Sequence, residues 1–334
     1  MAEEGVPARI NALWGWGWTL RQQEKFDEGT DKFRRAVEVV PRDFGAVYRY
    51  GLSLAELGSY RDAIEQFDKA SLLDQDHPFP HHSKALFLFE LGRYEECWKE
   101  WWAARQYYER ALGGELRGEE YLGKAFAFAD VLGDTVECYE HSDKFYKWFL
   151  KRRDDNAYAW AGRAILYEQW ANSDKATPEI HARSSYLVRR ASELLKRELG
   201  KSNDFQTFLN LADLYIATCD WAEAREQLDY ADSFCGGSRL KRAKVTERRG
   251  LICYRLEEHA EAEKHFRQAL LVKPGNLTLQ CNLGNALLQL KKFKDAKDEF
   301  ARVLKLAPEN IDALLGAAQV SIELAGDSDP DHSK

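Results

Sequence analysis

Basic side chains are concentrated in one short stretch of this chain and could bind phosphate groups. Residues 238–249 read SRLKRAKVTERR, with six basic side chains and one acid. Such a stretch can contact the phosphates of a nucleic acid or an acidic peptide. The candidate ligands are Arg239, Lys241, Arg242, Lys244 and Arg248. The alternative interpretation is a solvated helix start, since charge runs commonly lie on exposed helix faces.

No other set of side chains has a spacing that indicates catalysis or metal binding. His77, His81 and His82 lie in the stretch DHPFPHH, but no cysteine or carboxylate shares a regular ligand spacing with them. The full phosphate-loop motif GxxxxGK[ST] and the zinc motif HExxH are absent from the sequence. We therefore expect a protein without enzymatic activity, metal or cofactor.

Aromatic side chains dominate a second unusual stretch near the N-terminus. Residues 11–20 read NALWGWGWTL, in which three tryptophans alternate with two glycines. An alternation of period two is typical of a β-strand, and glycine weakens a helix by about 1 kcal/mol relative to alanine. By itself the stretch leaves strand, loop and helix open.

A repeat of 34 residues decides between these alternatives. Small, aromatic and proline residues recur in pairs that are 34 positions apart. The pairs are Gly58 and Gly92, Tyr60 and Tyr94, Ala70 and Ala104, Gly250 and Gly284, and Pro274 and Pro308. Small residues let two antiparallel helices cross closely, large residues fill the gaps beside them, and proline ends the second helix. The pattern predicts stacked helix–turn–helix units.

This pattern resembles the tetratricopeptide repeat family, in which a W-x2-L-G-x2-Y segment is followed by A-x3-F and then by proline. The resemblance covers nearly the whole chain. It implies an all-α, right-handed superhelix of about eight repeats. Six repeats match well, at 10–43, 44–77, 78–111, 205–238, 243–276 and 277–310, and two are degenerate, at 119–152 and 155–204.

The degenerate repeats suggest a division of the chain into blocks. The repeat at 155–204 inserts a long turn, ANSDKATP, before a longer second helix at about 178–199. The predicted blocks are 1–111, 112–204 and 205–310, followed by a terminal helix at 311–325 and a disordered tail at 326–334.

The repeat alignment places the tryptophan stretch on a helix. Gly17 falls 34 residues before Gly51, at the small crossing position, so Trp16 is expected in the core. The resemblance implies that the first helix of each repeat lines a concave groove for a peptide or partner protein. The residues that it implies for partner binding are Asn11, Trp14, Trp18, Arg21, Tyr48, Phe79, His82 and Phe89. In the alternative, Trp14 and Trp18 pack within the protein, on its N-terminal segment or the inner wall of a tight superhelix.

The last predicted helix has little polar surface. Residues 311–326 read IDALLGAAQVSIELAG, and a terminal repeat should present a polar outer face. We expect either a continuation of the chain as a ninth repeat or docking of this helix on another chain.

Composition limits the remaining function classes. The formal net charge is −7, which argues against a protein that coats nucleic acid or an acidic membrane as a whole. The N-terminus lacks a signal-peptide pattern, no apolar run approaches the ~20 residues of a membrane span, and the six cysteines form no CxxC pair. We expect a cytoplasmic adaptor or scaffold. RNA binding through the basic stretch and a regulatory module of a larger enzyme are the alternatives.

Overall fold

The computed structural model describes residues 5–91, 93–112, 139–151, 153–173, 175–201 and 204–326. Every element in these ranges is an α-helix, which confirms the all-α prediction. The helices, numbered in chain order, are α1 (Gly5–Gln22), α2 (Phe26–Val39), α3 (Phe44–Glu56), α4 (Tyr60–Leu73), α5 (Pro78–Glu90), α6 (Tyr94–Leu112), α7 (Tyr139–Leu150), α8 (Ala157–Ala171), α9 (Pro178–Leu199), α10 (Phe205–Ala217), α11 (Trp221–Ser233), α12 (Arg239–Arg255), α13 (His259–Leu270), α14 (Leu277–Gln289), α15 (Phe293–Leu306) and α16 (Ile311–Gly326). The first part of the degenerate repeat 119–152 and the tail from residue 327 lie outside the described residues.

The turn between the two helices of a repeat has one recurring backbone geometry. The residue two positions before the second helix has a positive φ at Glu24, Gly58, Cys219, Glu257 and Lys291. A positive φ is uncommon for a residue with a side chain. The tight turn, rather than the residue type, therefore sets this conformation, and glycine marks it in the sequence at only some repeats.

The loop that follows a second helix supplies the cap of the next helix. The Oδ1 atom of Asp43 accepts a hydrogen bond from the backbone N–H of Ala46 at 2.7 Å. Asn276 and Asn310 accept the corresponding bonds at 2.8 and 2.9 Å. Such a side chain satisfies one of the free N–H groups at the start of a helix. Corresponding positions of different repeats thus form the same capping hydrogen bond.

Contacts divide the chain into two compact units. Unit 1 comprises Met1–Leu116 and Ala269–Lys334, and unit 2 comprises Arg117–Gln268. The first three repeats and the end of the chain therefore share a unit, although the sequence analysis places them in separate blocks. The block boundaries themselves stay a prediction.

Helix pairs in unit 1 cross where a glycine meets a phenylalanine ring. A Cβ built on Gly51 would lie 2.7 Å from the Phe67 ring, and one on Gly284 would lie 2.7 Å from Phe300. Both rings are fully buried. The small residue at the crossing therefore has the role that the repeat pattern predicts.

A second contact in unit 1 joins residues that are far apart in sequence. The α3–α4 turn and the α13–α14 loop meet at Gly58 and Gly275, whose backbones approach too closely for a side chain on either residue. The Tyr60 hydroxyl donates to the Gly275 carbonyl at 2.9 Å, and Arg61 donates to the Leu306 carbonyl at 3.2 Å. The repeat pattern gives no sign of this contact, because it describes neighbouring repeats only.

The described residues of unit 2 include two apolar clusters. One lies among α8, α9 and α10 around Leu187, Leu194 and Leu211, and the other lies among α10, α11 and α12 around Leu209 and Leu228. Helix α9 has 22 residues and follows the inserted turn, which confirms the longer second helix expected there.

Candidate functional site

The tryptophan stretch lies on α1, as the repeat alignment predicts. Gly17 is buried where α1 crosses α2, and a Cβ built on it would lie 3.0 Å from the Phe33 ring. The expected core position of Trp16 is wrong, because this side chain is 58% exposed and its ring centroid lies 4.2 Å from the Lys32 Nζ. Successive residues of a helix point about 100° apart. Because Gly17 faces Phe33 of α2, the neighbouring Trp16 points away from the crossing, to the side of the α1–α2 pair.

The residues predicted to bind a partner lie on one helix each of three successive repeats, α1, α3 and α5. We call the face that carries them the α1–α3–α5 surface. Its members are exposed at Asn11 and Trp18, partly buried at Trp14, Arg21, Phe79 and Phe89, and buried at Tyr48 and His82. Burial leaves Tyr48 and His82 little surface for a partner, although the resemblance implies partner binding for both.

Tyr48 packs between neighbouring repeats. Its side chain is only 8% exposed, and its ring stacks on those of Phe44 and Phe79 at centroid distances of 5.8 and 6.0 Å. Its hydroxyl oxygen lies 2.9 Å from the Ser83 Oγ. Tyr48 therefore stabilises the packing of α3 against α5.

Trp14 lies in a space that a glycine leaves open. A Cβ on Gly45 would lie 3.2 Å from the Trp14 ring, and the Arg49 guanidinium lies 4.3 Å from the ring centroid. The indole Nε1 is buried and has no acceptor among the described residues. Packing and the Arg49 cation, rather than a hydrogen bond, therefore orient this ring.

Trp18 is the exposed aromatic residue of this surface. Its side chain is 54% exposed, and the Arg21 guanidinium lies 5.0 Å from its ring centroid. Arg21 in turn forms a two-point ion pair with Glu56 of α3, with its Nε 2.8 Å from Oε2. The ion pair joins α1 to α3 and holds a cation beside the exposed ring.

The histidines do not converge on a metal site. His81 contacts Glu100 of α6 at 2.7 Å, while His82 is buried and only 4% exposed. In the part of the chain that the structure describes, no three His, Cys, Asp or Glu side chains form a possible metal site. The His81–Glu100 pair connects α5 to α6, so His81 has a role in the packing of these two helices.

The basic stretch lies on α12, where ion pairs within the chain engage its arginines. Arg248 forms a two-point ion pair with Asp213 at 2.9 and 3.2 Å. Arg242 lies 3.8 Å from Asp232. Lys241 lies over the Phe205 ring at 5.2 Å. Intramolecular partners therefore neutralise part of the charge that the sequence suggests.

Two other basic residues of the stretch, Arg239 and Lys244, also have interaction partners. Arg249, which was not among the candidate ligands, pairs with Asp229 at 2.8 Å and Asp232 at 3.1 Å. These acids lie on the preceding second helix, 17 to 20 positions earlier. The charges within the stretch itself give no sign of these partners, because the acids lie on a different helix.

The outer face of α16 is apolar, as its sequence suggests. Ala313 and Val320 are fully buried. Four large aliphatic side chains on the opposite side are exposed: Ile311, Leu314, Leu315 and Ile322, the last by 71%. Nothing in the described part of the chain covers this stripe, and what occupies it stays a prediction.

Stacked helical hairpins with small residues at each crossing define an α-solenoid. A family model described as "Tetratricopeptide repeat" matches residues 15–78, and a second model of the same description matches residues 255–320. Both matched segments of the chain therefore consist of tetratricopeptide repeats.

Comparison with known proteins gives distant relatives. The chain is 22% identical over 281 residues to the TPR repeat-containing protein MJ1428 of Methanocaldococcus jannaschii, and the match covers 82% of this chain. It spans only 45% of that relative's length.

Solved structures share the fold at low identity. A tetratricopeptide repeat protein from Parabacteroides merdae has 14% identity and a TM-score of 0.52, with 84% of this chain and 99% of that chain covered. Human IFIT1, solved as a dimer with m7Gppp-AAAA, has 15% identity and a TM-score of 0.54, with 95% and 72% covered. IFIT1 solved with PPP-AAAA has 15% identity and a TM-score of 0.50.

None of the helices that the structure describes has the length and apolar character needed to cross a membrane.

Proposed function

We propose that this protein is a non-catalytic scaffold whose α1–α3–α5 surface holds a segment of a partner protein. Tetratricopeptide repeats generally mediate protein interactions. The proposal includes a cytoplasmic location and a site that needs no metal or cofactor. It places the binding energy on a few aromatic and arginine side chains, as is usual at protein interfaces.

The observation that carries the proposal is the exposed indole of Trp18 beside Arg21. An exposed tryptophan next to an ordered guanidinium offers a partner both apolar contact area and a hydrogen-bond donor. The Arg21–Glu56 ion pair reduces the mobility of this cation, so less conformational entropy is lost on binding. Phe79 and Phe89 supply partly buried ring surface on α5.

RNA binding is the second candidate function. It is favoured by the likeness to IFIT1, whose structures contain PPP-AAAA and m7Gppp-AAAA. The ligands would be Arg239, Lys241, Arg242, Lys244 and Arg248. The ion pairs of Arg248 with Asp213 and of Arg242 with Asp232 weigh against it, since a phosphate would compete with a carboxylate already in place.

A third candidate is a regulatory module of a longer enzyme. It rests on the curated relative, of which this chain covers less than half. Mass measurement of the natural protein, isolated from its source with an antibody, would test this candidate through the length of the chain.

Partner capture with matched variants tests the first candidate against the second. Trp18→Glu removes the exposed indole, and Leu72→Glu places the same charge on an exposed aliphatic site of α4 as the control. The proposal expects a partner protein that is lost with Trp18→Glu and kept with Leu72→Glu, while circular dichroism shows both variants folded.

Salt and a defined oligonucleotide separate the two ligand classes. Binding carried by phosphate contacts weakens steeply as salt rises, whereas binding carried by aromatic contacts depends little on salt. Tight binding of PPP-AAAA that is lost with Arg248→Gln and unaffected by Trp18→Glu would favour RNA and overturn the scaffold proposal.

A further inference from the structure

A second surface of the molecule has the composition of a binding cleft, and it lies entirely within unit 2. An open cleft of about 920 Å³ runs between the start of α7, the end of α8 and the first two turns of α9. Ligand sites commonly have volumes of about 300–1,000 Å³. The inserted turn before α9 supplies part of the wall, through Lys175 and Thr177. The departure from the 34-residue repeat thus helps to build the cleft.

Tyrosine and tryptophan form the apolar wall of this cleft. The rings of Tyr139 and Trp170 stack in parallel at 5.6 Å, and Tyr167 packs on Trp170 at 5.4 Å. Tyr186 lines the cleft from α9 and is 52% exposed. Grooves for amphipathic helices are lined by large aliphatic side chains, and among the described residues of this lining Ile180 is the only one.

The described residues of the lining also include four charged side chains, two of each sign. Glu140 and Glu179 are acidic, and Lys175 and Arg183 are basic. All four are exposed. A balanced set of charges does not favour a polyanion, but it can pair with charged residues of both signs that flank an uncharged peptide segment.

We infer that this cleft binds an extended, proline-containing peptide in the polyproline II conformation. Proline rings pack flat on tyrosine and tryptophan rings, and this helix has no internal hydrogen bonds, so its carbonyls accept bonds from phenol and indole groups. Charged residues at the two ends of the peptide pair with the acidic and basic side chains of the cleft. This inference is independent of the proposed function, because no residue of the α1–α3–α5 surface takes part.

A labelled peptide series tests the inference on the full chain. The probe has about eight prolines between a glutamate and a lysine, and its controls carry alanines or alternating glycine and serine between the same ends. Fluorescence anisotropy is measured for the wild type, Tyr186→Ala, Arg183→Glu and Tyr230→Ala. Tyr230 on α11 is a control of similar exposure in the same unit, at 48%.

The inference expects the proline peptide to bind at least about tenfold tighter than both control peptides. Tyr186→Ala should weaken this binding about tenfold, Arg183→Glu should weaken it by a smaller factor that salt reduces, and Tyr230→Ala should leave it within about twofold. Equal binding of all three peptides, preference for the alanine peptide, or proline-peptide binding unchanged by Tyr186→Ala would overturn it.

Discussion

Glu100 is the centre of a charge network that connects three helices of unit 1. Its two oxygens lie 2.7 Å from the His81 Nδ1 and 2.8 Å from the Lys84 Nζ, and Lys84 also lies 2.6 Å from Asp68 on α4. Burial by itself would raise the pKa of Glu100. The hydrogen bonds from His81 and Lys84, together with the positive charges of these groups, outweigh burial and hold the pKa of Glu100 below its ordinary value of 4.5.

We predict that Glu100→Gln destabilises the protein in a pH-dependent way. A carboxyl with a lowered pKa in the folded state contributes stability above pH 4.5, and this contribution is lost as pH falls through the folded value. Urea unfolding at pH 7 should show a loss of about 1.5–3 kcal/mol, because the bonds involve charged groups. The difference from the wild type should shrink towards pH 3.

The control for this measurement is Glu261→Gln. Glu261 pairs with Lys264 on an exposed helix face, where solvent screens the interaction. No comparable change is expected for it. An equal loss of stability for Glu100→Gln at pH 7 and pH 3 would mean that packing, rather than the charge network, explains the effect.

At the residue scale, the sequence predicted which residue faces the second helix better than it predicted how exposed each side chain is. Gly17 lies at the expected crossing, because the 34-residue register fixes which residue faces the second helix. The same register does not say what covers a side chain from outside the helix pair, so it misplaced Trp16 and suggested that Tyr48 was exposed. It also missed the acidic partners of Arg248 and Arg249, since these depend on packing between different helices.

At the element scale, the helix crossings make a prediction about single methyl groups. Gly51→Ala should lower the free energy of unfolding by about 1–3 kcal/mol, because its Cβ would lie 2.7 Å from the fully buried Phe67 ring and would force this ring to shift. Gly15→Ala is the matched control on α1, since no atom lies within 4 Å of the added Cβ.

Denaturant unfolding of both glycine variants checks this prediction. Gly15→Ala should stabilise the protein by up to about 1 kcal/mol through helix propensity alone. If both variants change stability in the same direction, close crossing at Gly51 does not limit the packing of α3 on α4.

The apolar face of α16 makes a second prediction at this scale. Exposed stripes of large aliphatic residues commonly mediate association. We expect the chain to self-associate at micromolar concentration, and Ile322→Glu to shift it towards the monomer in light scattering. Leu72→Glu, at a residue that is 76% exposed on α4, should leave the oligomeric state unchanged. A wild-type chain that stays monomeric would contradict this prediction.

The positions of the helices could be predicted from the sequence, because each repeat uses the same residue types at corresponding positions. The small residue at the crossing, the helix cap at Asn276 and Asn310 and the longer α9 all follow from local sequence. The positive φ at Cys219, Glu257 and Lys291 could not be predicted in this way, since nothing in those residue types favours it.

At the scale of the whole molecule, the contact between Gly58 and Gly275 predicts coupling between sequence-distant parts of unit 1. Gly275→Val should break the contact, because a side chain there meets the Gly58 backbone. The hydrogen bonds from Tyr60 to Gly275 and from Arg61 to Leu306 should be lost with it. Amide hydrogen exchange should then rise both at the start of α4 and at the end of α15.

Gly237→Val is the control for this exchange experiment. Gly237 also lies in a loop, and a Cβ built on it meets no atom within 4 Å. It should leave exchange at α4 and α15 unchanged. Faster exchange at α4 alone in Gly275→Val would mean that the two segments are not coupled through this contact.

The central claim is that a partner protein binds at the α1–α3–α5 surface, and site-specific crosslinking in the source cell tests it most directly. A photoreactive phenylalanine analogue replaces Trp18 in one variant and Leu72, an exposed residue on α4, in the other. We expect a discrete protein adduct at position 18 that resists nuclease and is absent at position 72. An adduct at position 72 only, a nuclease-sensitive adduct at position 18, or no adduct at position 18 would contradict it.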